Sequence, residues 1–156
     1  MLLFFKTRKA GAISLIALLF GFLLTNLLLK NVVARLRPYI DTNSDFYFWW
    51  KSAGSLLESG FSFPSGHTTA ATGFGFSLFI CFKKRISWLY LLIPIFMGFT
   101  RIYFMVQYAS DVVGALFVGI VCSTCSYFTF KGISKFKFID KAYNLPSIVS
   151  LFKREA

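Results

Sequence analysis

Acidic residues are scarce in this chain of 156 residues: six Asp and Glu stand against 17 Lys and Arg, which gives a formal net charge of +11. A balance this basic is typical of proteins that bind nucleic acid or an anionic membrane surface. Long hydrophobic runs favour the membrane, and no basic recognition helix of a soluble fold is visible. We therefore expect a bilayer as the partner and no nucleic acid.

Cysteine is also rare, and Cys81, Cys122 and Cys125 all lie in apolar runs. The spacing of Cys122 and Cys125 matches a redox motif, but such a motif needs a polar and partly exposed setting. We therefore interpret the cysteines as small apolar residues inside membrane spans, and we expect no disulfide framework.

Hydrophobic residues make up 56% of the chain, whereas a soluble domain is nearer about 45–50% apolar. Several runs match a hydrocarbon core of about 30 Å at a rise of about 1.5 Å per residue. The first run lies between Lys9 and Lys30, and we interpret it as a retained span because it is too long for a signal peptide and no cleavage pattern follows. We predict an all-α fold, a polytopic membrane helical bundle that forms one domain over residues 1–156, with transmembrane helices at about 10–29, 64–82, 86–105 and 112–130 and a basic tail at 131–156.

The segment between the first two spans, residues 31–63, mixes charged residues with an aromatic cluster at 46–50. Aromatic residues at this density beside a span are typical of the membrane interface. We interpret the cluster as an interfacial anchor, with a flap that contacts substrate as the alternative. We also expect a short interfacial helix over residues 55–58.

The basic residues are distributed unevenly between the two ends of the spans. Four spans place both termini on one side, together with the basic turn at 83–85, and this side holds most of the Lys and Arg. The positive-inside rule then predicts cytoplasmic termini. The polar residues at the other ends of the spans face the extracytoplasmic side.

Two cations follow the first span on that side. Lys30 and Arg37 are seven residues apart and can face one way on a helix that continues from the span, although Pro38 disfavours helix at Arg37. Taken alone, these cations are better explained as side chains that snorkel to lipid headgroups.

Four residues, Pro-Ser-Gly-His at 64–67, open the second span. Proline suits the start of a helix, glycine lets a ligand approach the backbone, and free N–H groups at a helix N-terminus bind anions. His67 is the only histidine and could deliver a proton to a bound oxyanion. An ordinary turn at the start of a span is an equally good explanation of this segment alone.

A third polar group lies between the last two spans. Gln107 and Asp111 are four residues apart and share a face if the segment is helical. A snorkelling Arg101 and a helix-capping Asp111 are plausible alternatives. Taken together, the three groups favour a phosphate-binding site over these separate explanations. Cations, one histidine and one aspartate all lie on one membrane face, and Arg and Lys are suited to bind phosphate oxygens.

In order and spacing these residues resemble the three motifs of the type 2 phosphatidic acid phosphatase family, the lipid phosphate phosphatases related to vanadium haloperoxidases. The first motif, Lys, six residues, Arg-Pro, is intact from Lys30 to Pro38. The second, Pro-Ser-Gly-His, is intact at 64–67. The third, Ser-Arg, five residues, His, three residues, Asp, is altered, because Thr100 replaces the serine and Gln107 replaces the histidine.

The resemblance implies a role for each matched residue. It implies phosphate-binding residues at Lys30, Arg37, Ser65, Gly66 and Arg101. His67 would be the general acid that protonates the leaving alcohol, and Asp111 would orient a histidine that attacks phosphorus to form a phosphohistidine. No metal or other cofactor is implied, because the cations neutralise the phosphate. An amide at position 107 cannot form a stable phosphoenzyme. With Gln107 the site therefore keeps the residues that bind phosphate and lacks the nucleophile for covalent catalysis.

Three functions follow. The first is a phosphatase acting on a lipid phosphate or diphosphate at the outer face of the plasma membrane, with phosphatidate, phosphatidylglycerophosphate and undecaprenyl diphosphate as candidate substrates. The second, favoured by Gln107, is a catalytically inactive protein that binds a lipid phosphate. The third, a structural membrane protein, requires three ordered motifs to be coincidental. Family members commonly have six spans and this chain has room for four, so we also expect self-association as a homo-oligomer to replace the absent helices.

Overall fold

The computed structural model describes residues 5–82 and 84–134, and every regular element in these ranges is helical. The first helical stretch consists of α1 (Phe5–Phe22), a π-helical segment (Leu23–Leu29) and α2 (Lys30–Val33). Two 3₁₀ turns lie at Pro38–Ile40 and Ser87–Leu91. The remaining helices are α3 (Asp45–Ser52), α4 (Gly66–Phe82), α5 (Leu92–Tyr103) and α6 (Ala109–Ile133). The prediction of an all-α fold is confirmed for the described residues.

Two helical stretches are long and apolar enough to cross a membrane, Thr7–Val33 and Ala109–Ile133. The helical stretch Ser87–Tyr103 is apolar but shorter, and α4 has 17 residues. All four stretches overlap the predicted spans, and membrane crossing by the two shorter ones stays a prediction. Of the predicted basic tail, residues 131–133 belong to α6, and residues 135–156 lie outside the described residues.

Helix α4 lies at the centre of the bundle and packs against α1, α5 and α6. Its first half consists mainly of small residues and is largely buried, with Thr68, Thr69, Ala71, Thr72 and Gly73 in the interior. A Cβ atom at Gly119 of α6 would lie 2.4 Å from Thr72 Cβ, so glycine is needed for the two helices to approach this closely. Small residues at helix contacts are typical of membrane bundles.

Many hydroxyl-bearing side chains lie in the interior, and many large apolar side chains lie on the surface. Ser123 Oγ donates to Gly73 O across the α4–α6 contact at 3.0 Å, so its hydroxyl is satisfied without water. By contrast, Phe96 and Phe117 are 65% and 69% exposed. Together with the two long apolar stretches, this distribution indicates a membrane protein.

Helix α2 does not continue to Arg37, so Lys30 and Arg37 do not share the helix that their spacing allows, and Arg37 is non-helical as Pro38 indicates. The helix ends at Val33 because Ala34 adopts the left-handed conformation, with φ 48°. Arg37 is extended, with φ −76° and ψ 156°. This is the conformation that steric contact with the ring of Pro38 imposes on the preceding residue.

The short helix predicted over residues 55–58 is also absent. A helix forms earlier, at Asp45–Ser52, where Tyr47 N donates to the side chain of Ser44 at 3.4 Å. Gly54 and Ser55 then adopt positive φ values of 107° and 53°, which end the helix. The segment that follows is irregular and reaches back toward the end of the first helix.

The π-helical segment Leu23–Leu29 changes the direction in which the side chains in the last turns of the first helical stretch point. Thr25 Oγ1 lies 3.4 Å from Thr69 Oγ1 of α4. Asn26 and Lys30, on either side of the same turn, line a cleft between α2 and the start of α4. A π turn accommodates extra residues in the helical ladder and is frequent at functional sites.

Candidate functional site

A cleft of about 500 Å³ opens where the first helical stretch ends and α4 begins. The segment 57–59 closes one side of it. Five of the eight predicted site residues line the cleft, namely Lys30, Arg37, Gly66, His67 and Gln107. The other three, Ser65, Arg101 and Asp111, lie behind its wall.

Lys30 and Gly66 lie next to each other in the cleft. A Cβ atom at Gly66 would lie 3.9 Å from Lys30 Nζ and 3.6 Å from Asn26 Oδ1, so the absence of a side chain leaves room beside the ammonium. The Lys30 side chain has no hydrogen-bond or ion-pair partner among the described residues. Its charge is therefore available to an anion that enters the cleft.

Arg37 is buried, with 4% of its surface exposed, and its guanidinium holds the neighbouring loop. Nε donates to Gly60 O at 3.0 Å, and Nη2 donates to Ser59 O at 2.9 Å. Nη1 donates to Val106 O at 3.0 Å and to Glu58 Oε2 at 2.9 Å. Only part of this predicted phosphate-binding group faces the cleft, and the rest fixes the backbone at 59–60.

Glu58 joins the predicted cations to one another. Its Oε2 pairs with Arg37, and its Oε1 accepts a short hydrogen bond from Arg101 Nη1. The Nδ1 atom of His67 lies 3.7 Å from the same Oε1. The structure therefore brings Arg37, Arg101 and His67 together around a carboxylate that the sequence analysis did not select.

Arg101, at the end of α5, is incompletely satisfied. Its Nε is the one buried side-chain nitrogen or oxygen in residues 5–82 and 84–134 that lacks a hydrogen-bond partner. Buried donors without partners are uncommon and costly. This N–H could donate to an additional acceptor placed beside Glu58.

Ser65 is fully buried and caps α4 rather than facing the cleft. Its Oγ accepts from Thr68 Oγ1 at 3.0 Å and from Thr68 N at 3.4 Å. Ser65 N donates to Asp111 O at 3.2 Å, which ties the start of α4 to the start of α6. The helix that follows begins at Gly66, and its first two residues, Gly66 and His67, both line the cleft.

His67 is the most open of the predicted chemical groups, with 57% of its side chain exposed. It lies on the first turn of α4 and lines the cleft. Apart from the 3.7 Å approach to Glu58, its ring has no ion-pair or hydrogen-bond partner among the described residues. An imidazole with this exposure can exchange a proton with a bound group or with water.

Gln107, at the position of the family's histidine, is 3% exposed. With its amide in the orientation that satisfies both neighbours, the nitrogen donates to Ser62 O at 2.6 Å and the oxygen accepts from Arg37 Nη1 at 2.9 Å. It precedes α6 and does not share a helical face with Asp111, contrary to the helical alternative considered from the sequence. The amide bridges the 59–62 segment and the Arg37 guanidinium.

Asp111 is fully buried and is paired within the protein. Its Oδ1 accepts from Arg35 Nη1 at 2.9 Å. Its Oδ2 accepts from Tyr108 N at 2.9 Å and from the hydroxyl of Ser62. Arg35 also stacks on the ring of Tyr108, with 3.9 Å from Cζ to the ring centroid. Asp111 therefore ties α6 to the segments before and after α3.

Two residues of this site, Glu58 and Arg35, were missed by sequence reasoning. Glu58 carried a usable signal, because an acidic residue is rare in this chain and this one lies among cations that need a counter-charge. Arg35 gave no such signal, since an arginine beside a span resembles a snorkelling side chain. Both act through tertiary contacts with residues far away in the sequence.

The chain matches the PAP2 superfamily over residues 11–134. It is 33% identical over 117 residues to the bacitracin transport permease protein BcrC of Bacillus licheniformis, covering 74% of this chain and 56% of that protein. It is 34% identical over 110 residues to the lipid A 1-phosphatase of Rhizobium johnstonii, covering 70% and 43%, and equally to that of Rhizobium etli, covering 70% and 45%.

The chain spans about half the length of the curated relatives it matches. No solved structure matches it. The family match covers all three motifs, from Lys30 to Asp111. This chain therefore belongs to the PAP2 superfamily, the type 2 phosphatidic acid phosphatases.

Proposed function

We propose that this membrane protein binds the phosphate or diphosphate group of a lipid in the cleft between α2 and α4. The observation that carries the proposal is that Lys30 and Arg37 line one cleft of about 500 Å³, while Arg101, from a third segment, lies behind its wall and binds the lining residue Glu58. Cations from distant segments gather in this way where an anion has to be neutralised. The relatives named lipid A 1-phosphatase support a lipid as the carrier of that phosphate.

The cleft offers three kinds of contact to a phosphate. Lys30 supplies an ammonium that has no partner among the described residues, and Arg101, behind the wall at Glu58, has a buried N–H that a phosphate replacing Glu58 would reach. The backbone N–H groups of Gly66 and His67, at the start of the 17-residue helix α4, supply the third, and the absence of a side chain at Gly66 gives access to them. Ser65 contributes by capping that helix, and Arg37 contributes both charge and the fixed loop at 59–60.

The proposed placement in the membrane rests on the hydrophobic runs and on the distribution of Lys and Arg in the sequence. We propose four transmembrane helices, cytoplasmic termini and a cleft at the extracytoplasmic face of the plasma membrane. Lys30 and Arg101 lie near the C-terminal ends of their helical stretches, and Gly66 lies at the N-terminal end of α4. Since successive spans run in opposite directions, these positions support a single membrane face for the site. The single domain over residues 1–156 and the homo-oligomer stay predictions.

The second candidate function is hydrolysis of the bound lipid phosphate through a phosphohistidine. The family match and the phosphatase names of two relatives favour it. His67, open to the cleft, fits the general acid that protonates the leaving alcohol. Asp111 fits the group that orients a nucleophile, because it is buried and ionic contacts fix it.

Position 107 decides between the two candidates. An amide nitrogen has no free lone pair for attack on phosphorus, and the Gln107 amide is occupied by Ser62 and Arg37. The contacts of the site therefore support phosphate recognition better than turnover. Hydrolysis in the protein as it stands would need a nucleophile other than residue 107.

The test compares the purified full chain with its Gln107→His variant in detergent micelles. Phosphate release is measured from phosphatidate, phosphatidylglycerophosphate and undecaprenyl diphosphate, and binding of orthovanadate is measured separately. We expect both proteins to bind vanadate. We expect the variant to release phosphate at a rate about a hundredfold or more above that of the parent. Gln107→Asn is the matched control, because it changes the amide's reach without supplying a nucleophile.

Each outcome has a distinct meaning. Turnover by the unaltered chain that is lost in His67→Ala would support the phosphatase and overturn our view that residue 107 limits the reaction. Failure of both proteins to bind vanadate would overturn phosphate recognition itself. Turnover by Gln107→Asn equal to that of Gln107→His would show that a nucleophile at 107 is not what was missing.

A further inference from the structure

We propose that Glu58 is an internal ligand of the phosphate cleft, a carboxylate that holds the guanidinium groups of Arg37 and Arg101 until a lipid phosphate displaces it. The proposal rests on the proposed function, because it concerns the same anion site. It assigns to Glu58 the control of how tightly that site binds.

The contacts of Glu58 are those expected of a bound anion. One oxygen accepts from Arg37 Nη1 at 2.9 Å, and the other accepts from Arg101 Nη1. The second oxygen also faces His67 Nδ1 at 3.7 Å. A carboxylate and a phosphate present oxygens to arginine with similar geometry, so the two groups compete for the same donors.

The carboxylate satisfies the site only in part. Arg101 Nε keeps no partner, and Lys30 on the other wall of the cleft has none among the described residues. A phosphate has more oxygens than a carboxylate and can accept from both arginines and from these remaining donors. The exchange of Glu58 for phosphate therefore leaves fewer buried donors unsatisfied, which favours displacement.

The side chain of Glu58 can move while its backbone stays in place. Arg37 holds Ser59 O and Gly60 O through Nε and Nη2, which are separate from the Nη1 atom that binds the carboxylate. The hydroxyl of Tyr39 donates to Glu58 O at 3.0 Å. Displacement thus requires rotation of one side chain and no opening of the 57–60 segment.

The experiment measures orthovanadate and inorganic phosphate binding to the full chain and to Glu58→Gln, which keeps the shape of the side chain and removes its charge. We expect the variant to bind about tenfold more tightly or better, which corresponds to about 1.4 kcal/mol. Asp41→Asn is the matched control, because it removes an exposed acidic charge from the segment before α3 and lies outside the cleft. Phosphatidate in micelles is titrated in parallel to separate a lipid headgroup from free phosphate as the ligand.

Unchanged or weaker vanadate binding by Glu58→Gln would contradict the proposal that Glu58 competes with phosphate for the two arginines. A gain of equal size in Asp41→Asn would also overturn it, because the effect would then come from net charge. If Glu58→Gln does not fold, Glu58→Asp replaces it: the shorter side chain keeps the charge and cannot bridge both arginines, so a smaller gain in affinity is expected, and no gain counts against the proposal. Absence of vanadate binding in every protein, the parent included, is the failure of the proposed function and is distinguishable from these results.

Discussion

The two walls of the cleft differ in how their polar groups are paired. On the open wall, Lys30 has no side-chain partner among the described residues, and His67 has only a 3.7 Å approach to Glu58. On the buried wall, Gln107 lines the cleft and Asp111 lies behind it; they are 3% and 0% exposed, and both are hydrogen-bonded within the protein. Unpaired cations gain from a ligand, whereas paired buried groups only lose when a partner is removed. The difference in pairing is consistent with the proposed function, in which the open wall binds the ligand and the buried wall stabilises the fold.

The largest expected effect that sharpens this comparison comes from Asp111→Asn on the buried wall. An asparagine offers one acceptor oxygen in place of two, and its NH₂ group would face donors from Arg35, Ser62 or Tyr108. We expect a loss of about 2–4 kcal/mol in the free energy of unfolding, with the smaller share from Arg35, because that side chain is 37% exposed and partly screened. Thermal unfolding in detergent measures it.

The control for that loss is Asp41→Asn, an exposed substitution that retains the acceptor for Asn43 N. We expect its unfolding free energy to stay within about 0.5 kcal/mol of the parent. Equal stability of the two variants would break the comparison, because Asp111 would then have no special structural role.

The next effect is on the open wall. Lys30→Met keeps an apolar stem and removes the ammonium, so we expect vanadate affinity to fall about tenfold while stability changes by less than about 0.5 kcal/mol. Arg37→Met is the contrasting variant: it removes the donors to Ser59 O and Gly60 O, so both affinity and stability should fall. Isothermal titration with vanadate and thermal unfolding separate the two responses. A loss of stability in Lys30→Met comparable to that in Arg37→Met would contradict the assignment of Lys30 to binding.

The smallest effect concerns the space beside Lys30. A Cβ atom at Gly66 would meet Asn26 Oδ1 at 3.6 Å and Lys30 Nζ at 3.9 Å, both ordinary contacts. Gly66→Ala should therefore fold normally and reduce vanadate affinity only a few-fold. Gly119→Ala is the matched control in the interior, where the new Cβ would lie 2.4 Å from Thr72 Cβ, and it should lower stability by about 1–3 kcal/mol. Reversal of the two phenotypes would show that the small residue at 66 serves packing.

The helices were predictable because their hydrophobic runs are long and end at charges. The four predicted spans overlap the helical stretches that end at Val33, Phe82, Tyr103 and Ile133. The end of the first helix was harder to predict from the sequence, since the left-handed backbone conformation of Ala34 depends on the path of the loop that follows. The helix at 45–52 was missed in favour of 55–58, because the positive φ values at Gly54 and Ser55 could not be anticipated.

The site was predictable where motif residues face the cleft directly. Lys30, Gly66 and His67 do so, because each lies at a helix end whose position the spans set. The pairing of Asp111 with Arg35 and the bridging of two arginines by Glu58 were not predictable, since each joins segments more than 20 residues apart. Sequence spacing indicates which residues can meet on a helix, and it carries little information about partners across loops.

Because the π-helical segment Leu23–Leu29 lies directly before Lys30, the direction in which the Lys30 ammonium points depends on the number of residues in that segment. Each residue of a helix adds about 100° of rotation, so removal of one residue there would restore ordinary periodicity and rotate the residues beyond it. Lys30 would then leave the cleft although every motif residue remained in the chain. The number of residues between Phe22 and Lys30 therefore matters to the site as much as the identity of Lys30 itself.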